Sequence, residues 1–126
     1  NVVINGKTVK PEDVLITEAG KKIVYTGDTK YNENIVKFSK NADLLIADST
    51  FGEEFVERAG DFRHSTANDA AEAAKKANVN QLVLTHISRR YQDSEGSIPA
   101  KSLEDSARKV FKNTILARDF LEIEVK

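Results

Sequence analysis

The chain has 126 residues, of which 40% are hydrophobic and 31% are charged, and its formal net charge is −1. This length allows one small domain with a modest core, and the balanced charge excludes a disordered tail. No apolar run exceeds four residues, which excludes a transmembrane helix and a signal-peptide core. The absence of cysteine excludes a disulfide scaffold and a thiolate metal site, and it is typical of a cytoplasmic protein.

The opening residues 1–10 predict a β-hairpin, because Asn5-Gly6 separates two short β-rich runs. Three continuous apolar runs follow, of the kind typical of strands covered on both faces, at residues 23–25, 44–47 and 82–84. Other helices and strands are predicted from amphipathic stretches at 32–40, 51–59, 66–78 and 103–111, and from an alternating final strand at 120–125.

The stretch at residues 66–78 is the clearest predicted helix. It carries alanines at helical spacing, and Thr66 is its expected N-cap, with Asp69 as the capping-box partner. Strands that alternate with helices in this order predict parallel pairing through right-handed crossovers. The sequence contains no internal repeat, low-complexity segment or linker, so residues 1–126 are predicted to form one α/β unit.

Polar side chains follow each of the three buried strands. Asp28 comes after the first, Asp48 after the second and His86 after the third. Ligands of open α/β sheets bind beyond the carboxyl ends of the strands, so two carboxylates and an imidazole are expected at one edge. A second polar cluster, which includes His64, begins the alanine-rich helix, where backbone N–H groups favour an anion.

Each of these residues also has a purely structural interpretation. Asp28 fits an Asx turn, Asp48 fits a helix cap, and either histidine fits an ordinary loop or hydrogen-bonded side chain. The convergence of two histidines and two strand-end aspartates favours a single site, and zinc accepts both ligand types. A catalytic zinc needs three protein ligands and a two-metal site needs more, so these residues predict only part of a metal or phosphate site.

Spaced motifs carry a further signal, above all KIVYTGDT at 22–29, HSTA at 64–67 and LTHISRRY at 84–91. Residues 6–15, 42–46 and 107–111 continue it in the same order. Together these segments resemble the carboxyl-terminal part of the ribonuclease Z family, the tRNA 3′-processing endonucleases of the metallo-β-lactamase superfamily. The resemblance covers nearly the whole chain.

The resemblance implies the carboxyl-terminal half of an αββα sandwich, with two zinc ions in each complete active site. Asp28 would be the carboxylate that bridges both zincs, and His86 would be the last histidine ligand. His64 would be the general acid that protonates the leaving 3′-oxygen, with Asp48 as the carboxylate that assists it. The family has a glutamate in a His-Glu-Ala-Thr segment at this point, whereas the chain has ADST at 47–50 and a carboxylate one methylene shorter.

The resemblance also implies a substrate, precursor tRNA, whose 3′ trailer is removed by phosphodiester hydrolysis. Arg90 and Tyr91 would lie near its phosphate, where an arginine fork donates two parallel hydrogen bonds. Ser65 and Thr66, at the start of the alanine-rich helix, complete the predicted substrate-binding set. The net charge argues against a broad cationic face, so tRNA binding is expected to depend on local patches, with candidates Lys21, Lys22, Lys30, Arg63, Arg89 and Arg90.

The family's remaining ligands, a His-x-His-x-Asp-His cluster and one more histidine, lie upstream of the Gly-Asp-Thr motif together with the tRNA-gripping arm. Only 26 residues precede Gly27 here, and none is a histidine. We therefore expect the second half of an enzyme, inactive without its amino-terminal half as partner, and we expect a homodimer. The start at Asn1 and the absence of methionine fit that expectation. The alternatives are a metallo-hydrolase of another phosphodiester or ester, and a truncated non-catalytic interaction module.

Overall fold

The computed structural model describes residues 1–91 and 97–126 of the chain. The chain opens with the predicted hairpin, in which β1 (Val2–Ile4) pairs antiparallel with β2 (Lys7–Val9). Asn5 and Gly6 both have positive φ, +48° and +74°, as a two-residue hairpin turn of type I′ requires. One helical turn, α1 (Pro11–Val14), follows and has proline at its first position.

The centre of the molecule is a four-stranded sheet in which all neighbouring strands are parallel. Its strands are β3 (Ile23–Tyr25), β4 (Leu44–Asp48), β5 (Gln81–Thr85) and β6 (Thr114–Leu116). They lie across the sheet in chain order, so each strand pairs with the one that precedes it. The predicted parallel pairing of the three apolar runs is confirmed.

Helical segments connect the strands, and they are α2 (Glu33–Ser39), a 3-10 turn (Glu53–Phe55), α3 (Val56–Asp61), α4 (Ala67–Ala77) and α5 (Lys101–Val110). The Asn32 side chain caps α2 by accepting a hydrogen bond from the N–H of Asn34. The capping box predicted for α4 is confirmed. The Thr66 hydroxyl accepts from the N–H of Asp69, and the Asp69 carboxylate accepts from the N–H of Thr66, both at 3.0 Å.

The core lies between the sheet and α4. Leu45, Leu82 and Leu84 are completely buried in it, and each contributes roughly 2 kcal/mol through the apolar surface removed from water. Helix α4 can lie close to the strands because its buried side chains are small: Ala67, Ala70, Ala71, Ala73, Ala74 and Ala77. The alanine spacing seen in the sequence therefore serves helix-to-sheet packing.

The opposite face of the sheet has exposed apolar side chains on β3. Val24 packs against the core, whereas Ile23 and Tyr25 point the other way, because side chains alternate along a strand, and they are 56% and 65% exposed. On that face Leu44 and Val83 are buried, so the exposed apolar side chains lie at its β3 edge. A sheet with helices packed on one face and an exposed apolar edge on the other fits the expected carboxyl-terminal half of an αββα sandwich.

The predicted final strand at residues 120–125 is wrong, since these residues form no strand in the structure. The last strand is instead β6, a run of three residues that the sequence analysis did not identify. Alternation defines the faces that a strand would have, but a strand also needs a neighbour to which it can hydrogen-bond.

Among the described residues, no helix is both long enough and apolar enough to cross a bilayer.

Candidate functional site

Four ionisable side chains meet at the carboxyl ends of the parallel strands. Asp28 follows β3, Asp48 is the last residue of β4, and His86 follows β5, while His64 comes from the loop between α3 and α4. Nδ1 of His64 lies 2.8 Å from Oδ2 of Asp48, and Nε2 of His86 lies 3.2 Å from Oδ2 of Asp28. The two imidazole rings are stacked, with centroids 5.0 Å apart. The structure thus brings together all four residues that the sequence predicts as catalytic or metal-binding.

The carboxylate of Asp48 is buried and fully hydrogen-bonded. Its Oδ2 accepts from the N–H of Thr29 at 2.9 Å and lies against His64, and its Oδ1 accepts from the N–H and the hydroxyl of Thr50, at 3.0 and 2.6 Å. These four contacts use the full acceptor capacity of an ionised carboxylate. Asp48 is therefore a rigid acceptor that fixes the orientation of the His64 ring, and its shorter side chain still reaches that ring.

Thr50 is a site residue that the sequence analysis did not single out. Its hydroxyl has one hydrogen, which it donates to Asp48, so it must accept the hydrogen bond that joins it to Nδ1 of His86 at 2.8 Å. A hydrogen of His86 consequently lies on Nδ1, and Nε2 lies 3.2 Å from Oδ2 of Asp28. The available signal was the Asp-x-Thr spacing, because Asp48 also accepts the backbone N–H two residues on, as in an Asx turn.

Two backbone turns bring the side chains of Asp28 and His86 towards each other. Gly27 has φ of +63°, a conformation that glycine adopts without steric cost, and it turns the chain between β3 and Asp28. His86 itself has φ of +58°, which costs a residue with a Cβ roughly 1 kcal/mol or more. This strained conformation bends the chain directly after β5 and leaves the imidazole 42% exposed beside Asp28.

Ser65 and Thr66, which were predicted to bind substrate, are buried and hydrogen-bonded within the chain. The Ser65 hydroxyl donates to the carbonyl of Thr29 at 2.7 Å, which ties the loop after β3 to the loop before α4. The Thr66 hydroxyl donates to the Glu53 carboxylate at 2.9 Å in addition to capping α4. Both hydroxyls therefore hold the loop that carries His64.

Arg90 and Tyr91, also predicted to lie near the substrate, have contrasting environments. Tyr91 is buried, and its hydroxyl donates to Glu54 and accepts from the N–H of Gly52, both at 2.6 Å. Burial and then the hydrogen bond to Glu54 raise the pKa of the Tyr91 phenol. The Arg90 guanidinium is exposed and lies 5.7 Å from the centroid of the Phe55 ring. Arg90 thus remains accessible, whereas the Tyr91 hydroxyl anchors the loop after β5.

Among the described residues, two groups of side chains are candidates for holding a metal ion. Asp48, His64 and His86 each offer one ligand atom, and these atoms lie within 4.8 Å of one another. The second group is Asp28 with His86. The acceptor capacity of Asp48 is already used, whereas Asp28 is 55% exposed and its Oδ2 lies 3.2 Å from Nε2 of His86. Asp28 and His86 are the better candidates for this reason, and their oxygen and nitrogen donors suit zinc.

Comparison with known proteins defines the class. The family model described as a beta-lactamase superfamily domain matches residues 8–87, more than half of the chain, and the chain belongs to this family. Among solved structures, the metallo-beta-lactamase fold protein YhfI from Bacillus subtilis superposes with a TM-score of 0.65 and 29% identity, over 76% of this chain and 36% of that one. The predicted α/β fold class is confirmed.

Within that class, the chain is similar to proteins named ribonuclease Z. It is 46% identical to the one from Archaeoglobus fulgidus over 99% of this chain, and 49% identical to the one from Methanosarcina mazei over 98%. The short form of human tRNase Z superposes with a TM-score of 0.63 and 30% identity, over 85% of this chain and 34% of that one. The chain spans about 40% of the length of the curated relatives it matches.

Proposed function

We propose that this chain carries one side of the active site of a zinc-dependent endoribonuclease that removes 3′ trailers from precursor tRNA in the cytoplasm. The similarity to proteins named ribonuclease Z supports this reaction. The observation that carries the proposal is the pairing of His64 with Asp48 at 2.8 Å beside the pairing of His86 with Asp28 at 3.2 Å. One pair is suited to proton transfer and the other to metal binding.

Asp28 and His86 would hold zinc, because within residues 1–91 and 97–126 the contact found for Oδ2 of Asp28 and Nε2 of His86 is the one between them. Thr50 supports this role for His86, since a histidine that ligates a metal through one nitrogen commonly donates a hydrogen bond from the other. When bound, zinc lowers the pKa of a coordinated water and neutralises charge on phosphate oxygens. Two protein ligands do not complete a dinuclear site, so the proposal requires further ligands from outside this chain.

The chain's own residues would supply the acid and the phosphate contact. His64 would protonate the 3′-oxygen as it leaves, and the Asp48 carboxylate would stabilise the positively charged ring and hold it in place. Arg90, which is exposed, would donate its paired N–H groups to the phosphate. The loop that bears Arg90 is held in place by the hydrogen bonds of the neighbouring Tyr91.

The partner that supplies the missing ligands would be the complementary part of the same enzyme. The exposed side chains of Ile23, Tyr25 and Phe38 are the surface we expect it to cover, because apolar groups of this size are normally buried against a partner. We also propose that the enzyme assembled from this chain and the complementary part forms a homodimer. Light scattering after size-exclusion chromatography, with and without the complementary part, measures both associations.

The test is a hybrid enzyme, in which this chain replaces the matched 39% of the Methanosarcina mazei relative. The hybrid is incubated with a 3′-extended precursor tRNA, with and without added zinc. We expect zinc-dependent cleavage at the trailer, and we expect His86→Ala and Asp28→Asn to abolish it. A matched control, Asp105→Asn on the exposed side of α5, should cleave normally. Full activity of the His86→Ala hybrid contradicts the proposal.

A further inference from the structure

A cleft of about 480 Å³ adjoins the proposed metal site, and Asp28 belongs to its lining. Residues 28–32 form one wall, and Gly60 and Arg63 at the end of α3 form the other. Its volume lies within the range of roughly 300–1,000 Å³ that is typical of sites for small ligands. The cleft is therefore large enough for a nucleotide and borders the proposed metal site.

Two cations line this cleft, one from each wall. Lys30 and Arg63 are exposed, and neither forms an ion pair within residues 1–91 and 97–126. Nζ of Lys30 extends to the opposite wall, because a Cβ added to Gly60 would lie 3.8 Å from it. In a chain with a net charge of −1, these two cations make the cleft locally positive, partly offset by the carboxylate of Asp28 in the same lining.

Both cations are positioned by the hydrogen bonds that build the site. Lys30 follows Thr29, whose N–H donates to Asp48 and whose carbonyl accepts from Ser65. Arg63 precedes His64, whose ring is held by the same Asp48. The backbone at Lys30 and Arg63 is thus held by its neighbours' hydrogen bonds, in a cleft whose lining also contains the carboxylate of Asp28.

An aromatic side chain completes the lining. Tyr31 is half-buried, and Lys76 holds it in place, with Nζ 3.1 Å from its hydroxyl and 5.3 Å from its ring centroid. Cations that bind phosphate beside an aromatic ring against which a base can lie are typical of surfaces that bind single-stranded nucleic acid.

We infer that this cleft binds the nucleotide adjacent to the reacting phosphate of a single-stranded RNA, with Lys30 and Arg63 on its phosphate and Tyr31 beside its base. The inference rests on the proposed function, because Asp28 identifies the neighbouring position as that of the reacting phosphate. The lining residues belong to this chain, so we expect the chain alone to bind the RNA.

The test measures binding of a fluorescently labelled single-stranded RNA hexamer to this chain by anisotropy, in EDTA, over a series of salt concentrations. We expect Arg63→Gly and Lys30→Gln each to weaken binding about tenfold, the loss expected for one charged hydrogen bond. Each should also lower the slope of log K against log salt by about 0.7, the value for one phosphate contact on a single strand. Glycine at position 63 keeps the positive φ of the backbone.

The control Lys109→Gln removes one positive charge from α5, away from the cleft residues, and should change the affinity less than twofold. A hexamer of glutamate should compete poorly. The inference is overturned if the chain does not bind the RNA, if Lys109→Gln is as damaging as Arg63→Gly, or if the glutamate peptide competes equally. If the hybrid cleaves in a zinc-dependent manner but Arg63→Gly binds RNA normally, the role of the cleft is contradicted and the proposed function is not.

Discussion

Nδ1 of His64 and Oδ2 of Asp48 lie 2.8 Å apart, although the carboxylate is one methylene shorter than that of the resembled motif. The short side chain suffices because Asp48 is the last residue of β4 and the loop of His64 is bound to the loop after β3. The N–H of Thr29 and the two donors of Thr50 then fix the carboxylate. The pairing is thus held by hydrogen bonds from the chain's own residues.

Asp48→Asn should destabilise the chain by about 2–3 kcal/mol. The amide has the shape of the carboxylate, but its NH₂ group must face donors that need an acceptor in a buried position. Urea unfolding followed by circular dichroism measures the change. Asp105→Asn, at an exposed position of α5, serves as the control and should stay within about 0.5 kcal/mol of the wild type. An unchanged midpoint for Asp48→Asn would contradict the hydrogen-bond assignment.

Thr50→Val should allow the hydrogen of the neutral His86 ring to move from Nδ1 to Nε2, whereas Thr50→Ser should keep it on Nδ1. Valine keeps the shape of threonine but removes the hydroxyl that accepts from Nδ1. The chain has only two histidines, so long-range ¹H–¹⁵N NMR in alkaline solution resolves each ring. We expect the hydrogen of His86 on Nδ1 in the wild type and in Thr50→Ser. A hydrogen on Nε2 in the wild type would refute the assignment.

The raised pKa of the Tyr91 phenol predicts that the free energy of unfolding falls in alkaline solution. Because the pKa of its phenol is raised on folding, the unfolded chain releases this proton first as the pH rises past about 10. The folded state then binds more protons, so the free energy of unfolding falls by up to about 1.4 kcal/mol per pH unit above that point.

Tyr91→Phe removes this contribution, although it costs about 1–2 kcal/mol at neutral pH through the lost hydrogen bonds. Urea unfolding at intervals between pH 8 and pH 11 measures both effects on the free energy, on the scale where about 1.4 kcal/mol corresponds to one pKa unit. Tyr25→Phe, which alters a tyrosine that is 65% exposed, is the matched control and should leave the alkaline decline in place. The same decline in Tyr91→Phe as in the wild type would show that another group causes it.

Arg63→Gly should raise the free energy of unfolding by up to about 1 kcal/mol. Arg63 follows α3 with φ of +58°, where glycine lacks the steric cost of a Cβ, partly offset by the greater freedom of glycine in the unfolded chain. Thermal unfolding compares it with Arg63→Ala, which removes the same charge but retains the Cβ. Equal stability of the two variants would attribute any gain to charge instead of backbone conformation.

The sequence predicted the residues of the site better than their connections. Gly-Asp-Thr and the strand-end His86 were recognisable because the ends of parallel strands converge, and the helix cap at Thr66 follows a local rule. The role of Thr50 depends on a contact with a residue 36 positions away, which no local pattern encodes. Strand β6 was missed for a similar reason, because three residues are too few for a periodic signal and only pairing with β5 defines them.

Because β3, β4 and β5 follow one another along the chain, Asp28, Asp48 and His64 are translated before His86. A nascent chain that ends before β5 already contains Asp48, His64 and the hydrogen-bond donors of both loops. The Thr50 hydroxyl can accept its hydrogen bond from Nδ1 of His86 only once His86 has been translated. The pair of Asp28 and His86 is therefore completed later in synthesis than the pair of Asp48 and His64.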